Sequence, residues 1–251
     1  LEDIYNKYEI NKIILIIINV YNLKKEDCIL FPGSENFLDI GIVDDLLKLG
    51  IHSIGPKKRM AMIETSKSFC RNYLSYNHLE EFQPKYFVVY NFVYENLNSI
   101  FKKLGYNFVV KDDGLKGGKG VKIYNKDNYL EAFDYCKDIL GINEEINIKN
   151  KKKLIIEEKL YGEEYVLMSF CDGKNISHMP VAIDFKDLGK DNTIKTGGMG
   201  SIINKNHTFH FLNSDDISKS RSLNNLIMKY LSRDDNYGYR GVLYGSFMKT
   251  E

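Results

Sequence analysis

The sequence predicts an α/β chain: a partial parallel sheet near its start, then an α+β segment built on antiparallel strands. Three observations carry this. A strand–helix–strand succession runs from Cys28 to Ile54. An apolar strand, a Gly/Lys loop and a second strand occupy Val109 to Val121. Two alternating segments flank Asp172-Gly173, a hairpin signal.

In chain order, Ile10 to Leu23 reads as a helix apolar on most sides and therefore buried. Cys28 to Phe31 is a short buried strand, and Pro32-Gly33-Ser34-Glu35 a turn. Asn36 to Leu49 places Phe37, Leu38, Ile42, Val43, Leu46 and Leu47 at helical spacing, and Gly50 ends it. His52 to Ile54 is the second strand, stopped by Gly55-Pro56. Such a unit implies parallel pairing, with ligands beyond the carboxyl ends of the strands, where Gly33, Ser34 and Glu35 lie. A plain turn with Ser34 as a helix cap explains the same trio.

Ala61 to Tyr73 reads as one helix carrying Lys67, and Asn77 to Lys85 as a linker. Strand Tyr86–Tyr90, helix Asn91–Leu104, the Val109 strand, the loop, the Gly120 strand and helix Tyr129–Leu140 follow. Glu144 to Lys153 reads as a solvated loop, and Leu154 to Leu160 as a strand ending in charge. The hairpin of Tyr165–Cys171 and Ile176–Ile183 comes next, then a long polar loop from Asp184 to Gly200. Ser214 caps a helix to Leu231, and Tyr239 to Met248 is the last strand. The expected division is 1–84, 85–158 and 159–251.

Composition narrows the function. The chain has 251 residues, 43% hydrophobic and 27% charged, with a formal net charge of +1. That is room for one large or two modest domains, with no electrostatic case for nucleic acid or membrane partners. The longest apolar run, Ile13 to Ile18, is too short to span a bilayer. Cys28, Cys70, Cys136 and Cys171 are widely spaced and show no metal-ligand pattern, which reads as free thiols in a reducing compartment. A cytoplasmic protein is expected.

The loop Asp112-Asp113-Gly114-Leu115-Lys116-Gly117-Gly118-Lys119-Gly120 is the densest chemical signal. Glycines let backbone N–H groups approach phosphate oxygens, and lysines supply charge. Each charge-assisted hydrogen bond of this kind is worth about 1.5–3 kcal/mol. It is not a P-loop, because Lys119 is followed by Gly120 rather than Ser or Thr. Nor is it a dinucleotide fingerprint, because Val121 to Tyr124 alternates like a strand instead of opening a helix. An ordinary surface hairpin is the bland alternative.

Taken in order, the motifs resemble the ATP-grasp superfamily and, within it, the phosphoribosylamine–glycine ligase family. That family's Gly-Pro-Glu-x-Pro-Leu corresponds to Gly33-Ser34-Glu35-Asn36-Phe37-Leu38. Its Gly-Pro-Thr-Lys and later Ser-Lys correspond to Gly55-Pro56-Lys57-Lys58 and Ser66-Lys67. Its glycine-rich loop matches Val109 to Val121 except at Asp112, Lys116 and Gly117. Its Glu-Glu-Phe-Leu-x-Gly-Glu-Glu is Glu157 to Glu164 with Lys159 for Phe. Thr196-Gly197-Gly198-Met199-Gly200 and Gly241-Val242-Leu243-Tyr244 are intact.

The resemblance implies an ATP-grasp fold: a lid subdomain and an incomplete antiparallel subdomain after the parallel-sheet start. It implies ATP-dependent joining of glycine to 5-phosphoribosylamine through a glycyl phosphate. ATP would be bound by Lys67, Lys111, Gly114, Gly117, Gly118, Lys119, Gly120, Glu157, Glu158, Leu160 and Glu164. In this reading Lys111 meets the phosphates, Glu157 to Leu160 hydrogen-bond adenine through their backbone, and Glu164 accepts from the ribose. Gly33, Glu35, Asp184, Thr196, Gly197 and Gly198 would bind the other substrates. No catalytic residue is assigned. Fusion to, or succession by, further purine-synthesis domains is left open.

Departures accompany the match. Phe185 and Asp187 replace His and Arg, and Thr193-Ile194-Lys195 replaces Gly-Pro-Asn, all near the expected glycine pocket. Asp112 and Lys116 bring opposite charges that partly offset each other. The family's opening glycine-rich turn has no counterpart, and its magnesium-binding Asn and acidic residues are expected beyond Glu251. The chain is therefore expected to be a piece of the enzyme, with Mg2+ ligands outside it. A ligase with another substrate and a non-catalytic nucleotide-binding module are the competing readings.

Overall fold

The computed structural model describes residues 7–117, 120–141, 152–188, 194–233 and 235–250. They fall into two compact units. One takes in the described residues of Leu1–Thr65, Val166–Ala182 and Ile203–Phe247; the other, those of Ser66–Tyr165, Ile183–Ile202 and Met248–Glu251.

In the first unit, helix α1 (Lys7–Val20) precedes strand β1 (Ile29–Leu30), helices α2 (Glu35–Ile40) and α3 (Ile42–Lys48), and strand β2 (His52–Ser53). β1 and β2 pair in parallel, Ile29 opposite His52, as the strand–helix–strand reading requires. The single expected helix is broken at Gly41, whose φ of 80° is left-handed and ends α2. A Cβ there would also meet Lys58 at 3.3 Å. Ser34 caps α2 by accepting from the Asn36 N–H.

The core of this region joins Ile18, Ile42, Val43, Leu46 and Ile51. α1 is not buried all round: Ile18 is buried, whereas Ile13, Ile16, Ile17 and Val20 are exposed. A helix apolar on most sides can present only one face to a single partner, here α3.

Helix α4 (Lys58–Thr65) closes this stretch. Helix α5 (Lys67–Tyr76) opens the second unit. The one helix expected over Ala61–Tyr73 is thus two, because Ser66 is extended and its hydroxyl accepts from the Phe69 N–H as an N-cap.

The second unit holds strands β3 (Tyr86–Val89), β4 (Phe108–Asp112), β5 (Val121–Tyr124) and β6 (Leu154–Glu158), with helices α6 (Tyr94–Lys103) and α7 (Glu131–Leu140). The sheet order is β3-β6-β4-β5 and every pairing is antiparallel. α6 starts three residues later than expected, at Tyr94 rather than Asn91. Phe101, Phe108, Phe133, Val110, Leu154 and Ile156 form its core. Phe101 and Phe108 stack with centroids 4.3 Å apart.

Strand β7 (Gly162–Asp172) pairs with β8 (Ile176–His178) across the Asp172-Gly173 turn, Ser169 opposite His178. β11 (Arg240–Thr250) lies on its other side. Gly162 admits no side chain, since a Cβ there would lie 2.0 Å from the Lys249 carbonyl oxygen. Helix α8 (Ser214–Leu231) is capped by Asn213, not Ser214, in a reciprocal box with Asp216. Asn224 of α8 donates to Leu167 O and Ser169 Oγ, both at 3.0 Å.

Of the long polar loop expected over Asp184–Gly200, the described residues form a strand pair instead, β9 (Ile183–Leu188) with β10 (Ile194–Ile202), and residues 189–193 lie outside the described residues. The register of the pair shifts between Lys195 and Gly200. Backbone pairing holds these polar, glycine-rich residues in strands that hydrophobic alternation does not mark.

Candidate functional site

The glycine-rich loop joins β4 to β5, with Lys111 opposite Val121, and the Asp112 N–H donates to Gly120 O at 2.8 Å. Gly114 (φ 85°) and Gly117 (φ 56°) turn left-handed here. Gly118 and Lys119 lie outside the described residues. Lys116 pairs with Asp112 at 2.9 Å, the local charge offset expected of these two residues.

The base of the loop is fixed to the N-terminus of α5. Asp113 accepts from the Ser68 N–H at 2.8 Å, from Ser66 Oγ at 3.0 Å and from Ser68 Oγ at 3.2 Å. It also pairs with Lys153 at 3.0 Å. Burial would raise the Asp113 carboxyl, but the Ser68 N–H and Lys153 outweigh it and hold it below the usual range. Lys67, the first residue of α5, donates to Gly114 O at 2.6 Å. Burial lowers the Lys67 pKa, Asp113 opposes that, and Lys111 and Lys116 repel the ammonium further. Asp112 also opposes the burial effect, and among the described residues Lys67, Lys111, Lys116, Lys153 and Arg71 outnumber the carboxylates of Asp112, Asp113 and Glu157.

Glu157 sits at the floor of this group. It is 2% exposed, and its carboxylate is held by Arg71 and Lys111. Arg71 Nε donates to Oε1 at 2.6 Å and Arg71 Nη2 to Oε2 at 3.3 Å, while Lys111 Nζ donates to Oε2 at 2.5 Å. Burial would raise this carboxyl too, but the charges of Lys111 and Arg71 reverse the shift and lower it. Two cations on one carboxylate leave an excess of positive charge beside the loop, the arrangement a bound anion would complete.

Arg71 is absent from the sequence reading. The available signal was its position four residues after Lys67, which puts both on one face of α5. Its partner is 86 residues away in the chain, and no local pattern could pair them.

The remaining candidate residues are placed as follows. The Glu158 carboxylate accepts from the Lys85 N–H at 2.8 Å, and the Glu158 N–H donates to Lys85 O at 2.9 Å, so it clasps the start of β3. Leu160 follows β6 and is 36% exposed. Glu164 is exposed on β7. Asp184 lies on β9 opposite Ser201, and Thr196, Gly197 and Gly198 fall in the shifted stretch of β10. Gly33 and Glu35 belong to the first unit, at and just before the start of α2. There Glu64, on α4, has its pKa pushed up to about 7 by burial of its carboxyl and by the negative charge of Glu35. Glu64 is a second residue that the sequence reading misses. Among the described residues there is no cluster of three or more His, Cys, Asp and Glu that could hold a metal ion.

The family model of the phosphoribosylglycinamide synthetase ATP-grasp (A) domain matches residues 65–251, from the last residue of α4 through the loop, Glu157 and β11. The chain belongs to the phosphoribosylglycinamide synthetase family. A phosphoribosylamine–glycine ligase of Methanosphaera stadtmanae is 39% identical over 227 residues, covering 87% of this chain and 49% of the relative. The crystal structure of phosphoribosylamine–glycine ligase from Thermotoga maritima superposes with a TM-score of 0.69 at 27% identity, over 92% of this chain and 54% of that one. D-alanyl-alanine synthetase A of Vibrio cholerae shares the fold alone, with a TM-score of 0.62 at 11% identity over 89% of this chain and 63% of its own. The chain spans about half the length of the phosphoribosylglycinamide synthetase relatives it matches. The ATP-grasp fold read from the motifs is the fold observed.

Proposed function

We propose that this chain is the nucleotide-binding part of an ATP-dependent ligase that joins glycine to 5-phosphoribosylamine through a glycyl phosphate. The observation that carries the reading is the convergence of Lys67, Lys111 and the base of the glycine-rich loop in one unit, above a buried carboxylate shared with Arg71. This set fits a polyphosphate: cationic donors gathered at the loop base, a loop with left-handed glycines, and an excess of positive charge.

In this proposal Lys111 and Lys67 bind phosphate oxygens and withdraw charge from the transferring group. The loop covers them and keeps water from the acyl phosphate. Gly117, Gly118, Lys119 and Gly120 supply its backbone and charge. Leu160 and the strand end at Glu157 and Glu158 receive the adenine, and Glu164 the ribose hydroxyls. Gly33, Glu35, Asp184, Thr196, Gly197 and Gly198 are assigned to phosphoribosylamine and glycine. The functional division 1–84, 85–158 and 159–251 and a cytoplasmic location belong to the same proposal.

The reaction would also draw on magnesium, which when bound would supply positive charge to the transferring phosphoryl group. The described carboxylates do not form a site for it. Its ligands are assigned to the part of the relatives' length that this chain does not span.

The test is ADP release by the full-length protein. Release that requires both glycine and phosphoribosylamine is expected. Release with a different amino acid would move the substrate assignment, and none with any amino acid would overturn the ligase reading.

A further inference from the structure

We propose that Arg71 is a positioning residue for nucleotide binding: it keeps Glu157 paired when Lys111 leaves that carboxylate for a phosphate. The inference rests on the ATP-binding reading above and adds the residue that makes Lys111 available.

Lys111 holds Glu157 through Oε2. The side chain of Glu157 is 3% exposed, so water cannot replace a departing ammonium. An ionised carboxylate left there alone costs so much that it would hold Lys111 in place or take up a proton. Arg71 removes that obstacle. Its Nε already bonds Oε1 at 2.6 Å, and its Nη2 stands 3.3 Å from Oε2, the oxygen that Lys111 vacates. The guanidinium fork can close on both oxygens without moving its helix.

The ammonium of Lys111 is the mobile member. It makes a single contact with the carboxylate on a flexible stem, and its side chain is 24% exposed, so it can turn outward. An arriving phosphate repels Glu157 and attracts Lys111, which drives the exchange in one direction.

The backbone favours the same division of labour. Arg71 lies one turn after Lys67 on α5, whose first residues are bound to Asp113 at the loop base. The helix that carries Arg71 is thus anchored beside the loop, while Lys111 sits on β4 where the loop begins. A carboxylate that ordinarily competes for Lys111 becomes a resting place for it.

The test is ATP titration calorimetry on the full-length protein with R71M, R71K, E157Q and the R71M/E157Q double variant, each confirmed folded by its melting curve. R71M is expected to raise the ATP Kd about tenfold, because Lys111 becomes the sole partner of Glu157. R71K, which keeps the charge, should lose less. The double variant should return to within about threefold of E157Q, since no buried anion then holds Lys111. Without nucleotide, acetylation of Lys111, read by mass spectrometry, should be slower in R71M than in wild type; local disorder would make it faster.

An R71M protein that binds ATP like wild type would overturn the role of Arg71 alone. So would weak binding that E157Q does not restore, or faster acetylation. A wild-type protein that binds no ATP would overturn the nucleotide reading, and this inference with it.

Discussion

The carboxylates around Glu157 and those around Glu64 have opposite surroundings. Glu157 is buried between Arg71 and Lys111 and its pKa falls. Glu64 faces the negative charge of Glu35 and its pKa climbs to about 7. Local desolvation pushes both upward, although Glu64 is exposed overall and Glu157 is buried, so the order of their net shifts is opposite to what burial alone would give. The difference is whether cations accompany the carboxylate: a paired, desolvated acid remains an anion, and an acid beside another acid becomes a proton carrier near neutrality. The first arrangement suits a fixed electrostatic floor.

The largest break in the comparison is Glu157→Ala. It strands two partly buried cations and should cost about 3–5 kcal/mol in denaturant unfolding of the full-length protein. Asp113→Ala comes next, at about 2–4 kcal/mol, because the Ser68 N–H and Lys153 lose their shared acceptor. The wild-type pH profile sharpens the same point. Asp113 and Glu157 have folded pKa values below their unfolded ones, so their contribution is present above the unfolded values near 4 and is lost as pH falls through the folded ones. Acid should therefore loosen the loop base, measurable as faster amide exchange in β4 and α5 below about pH 4.

Glu64 runs the other way. Its folded pKa of about 7 lies above the ordinary 4.5, so its contribution is full below the ordinary value and lost as pH rises through the folded one. Glu64→Gln should raise the melting temperature above pH 7 and leave it unchanged below pH 4.5. The residue is exposed overall, which screens the effect, and direction rather than size is the test. The smallest change is Lys116→Ala. Its pair with Asp112 is solvent-exposed at Lys116 and is worth less than about 1 kcal/mol of stability.

The parts legible in the sequence were those with local causes. Ile29–Ser53 announced a parallel unit through apolar periodicity and its closing glycine, and the β4–β5 hairpin through a strand period on both sides of the glycines. The α4–α5 break also has a local cause, Ser66 as an N-cap accepting from the Phe69 N–H, but the reading of one helix over Ala61–Tyr73 missed it. Three features had no local cause. The β9–β10 pairing is made by backbone between polar residues, which carries no hydrophobic alternation. The exposure of α1 depends on what packs against it, not on its own composition. The Glu157 centre joins residues from α5, β4 and β6, so a sequence read one window at a time sees two lysines, an arginine and a strand-end acid without their meeting. The motif resemblance set Lys111 apart from Lys116; in the structure Lys111 reaches the buried carboxylate and Lys116 pairs with Asp112 in the loop.

That contrast supplies the most direct measurement. ATP titration of the full-length protein should show that Lys111→Ala weakens binding by about tenfold or more, as loss of a charge-assisted phosphate contact requires, while Lys116→Ala changes it by less than about threefold. Equal losses from the two substitutions, or none from Lys111→Ala, would contradict a nucleotide site centred on Lys111 and Glu157.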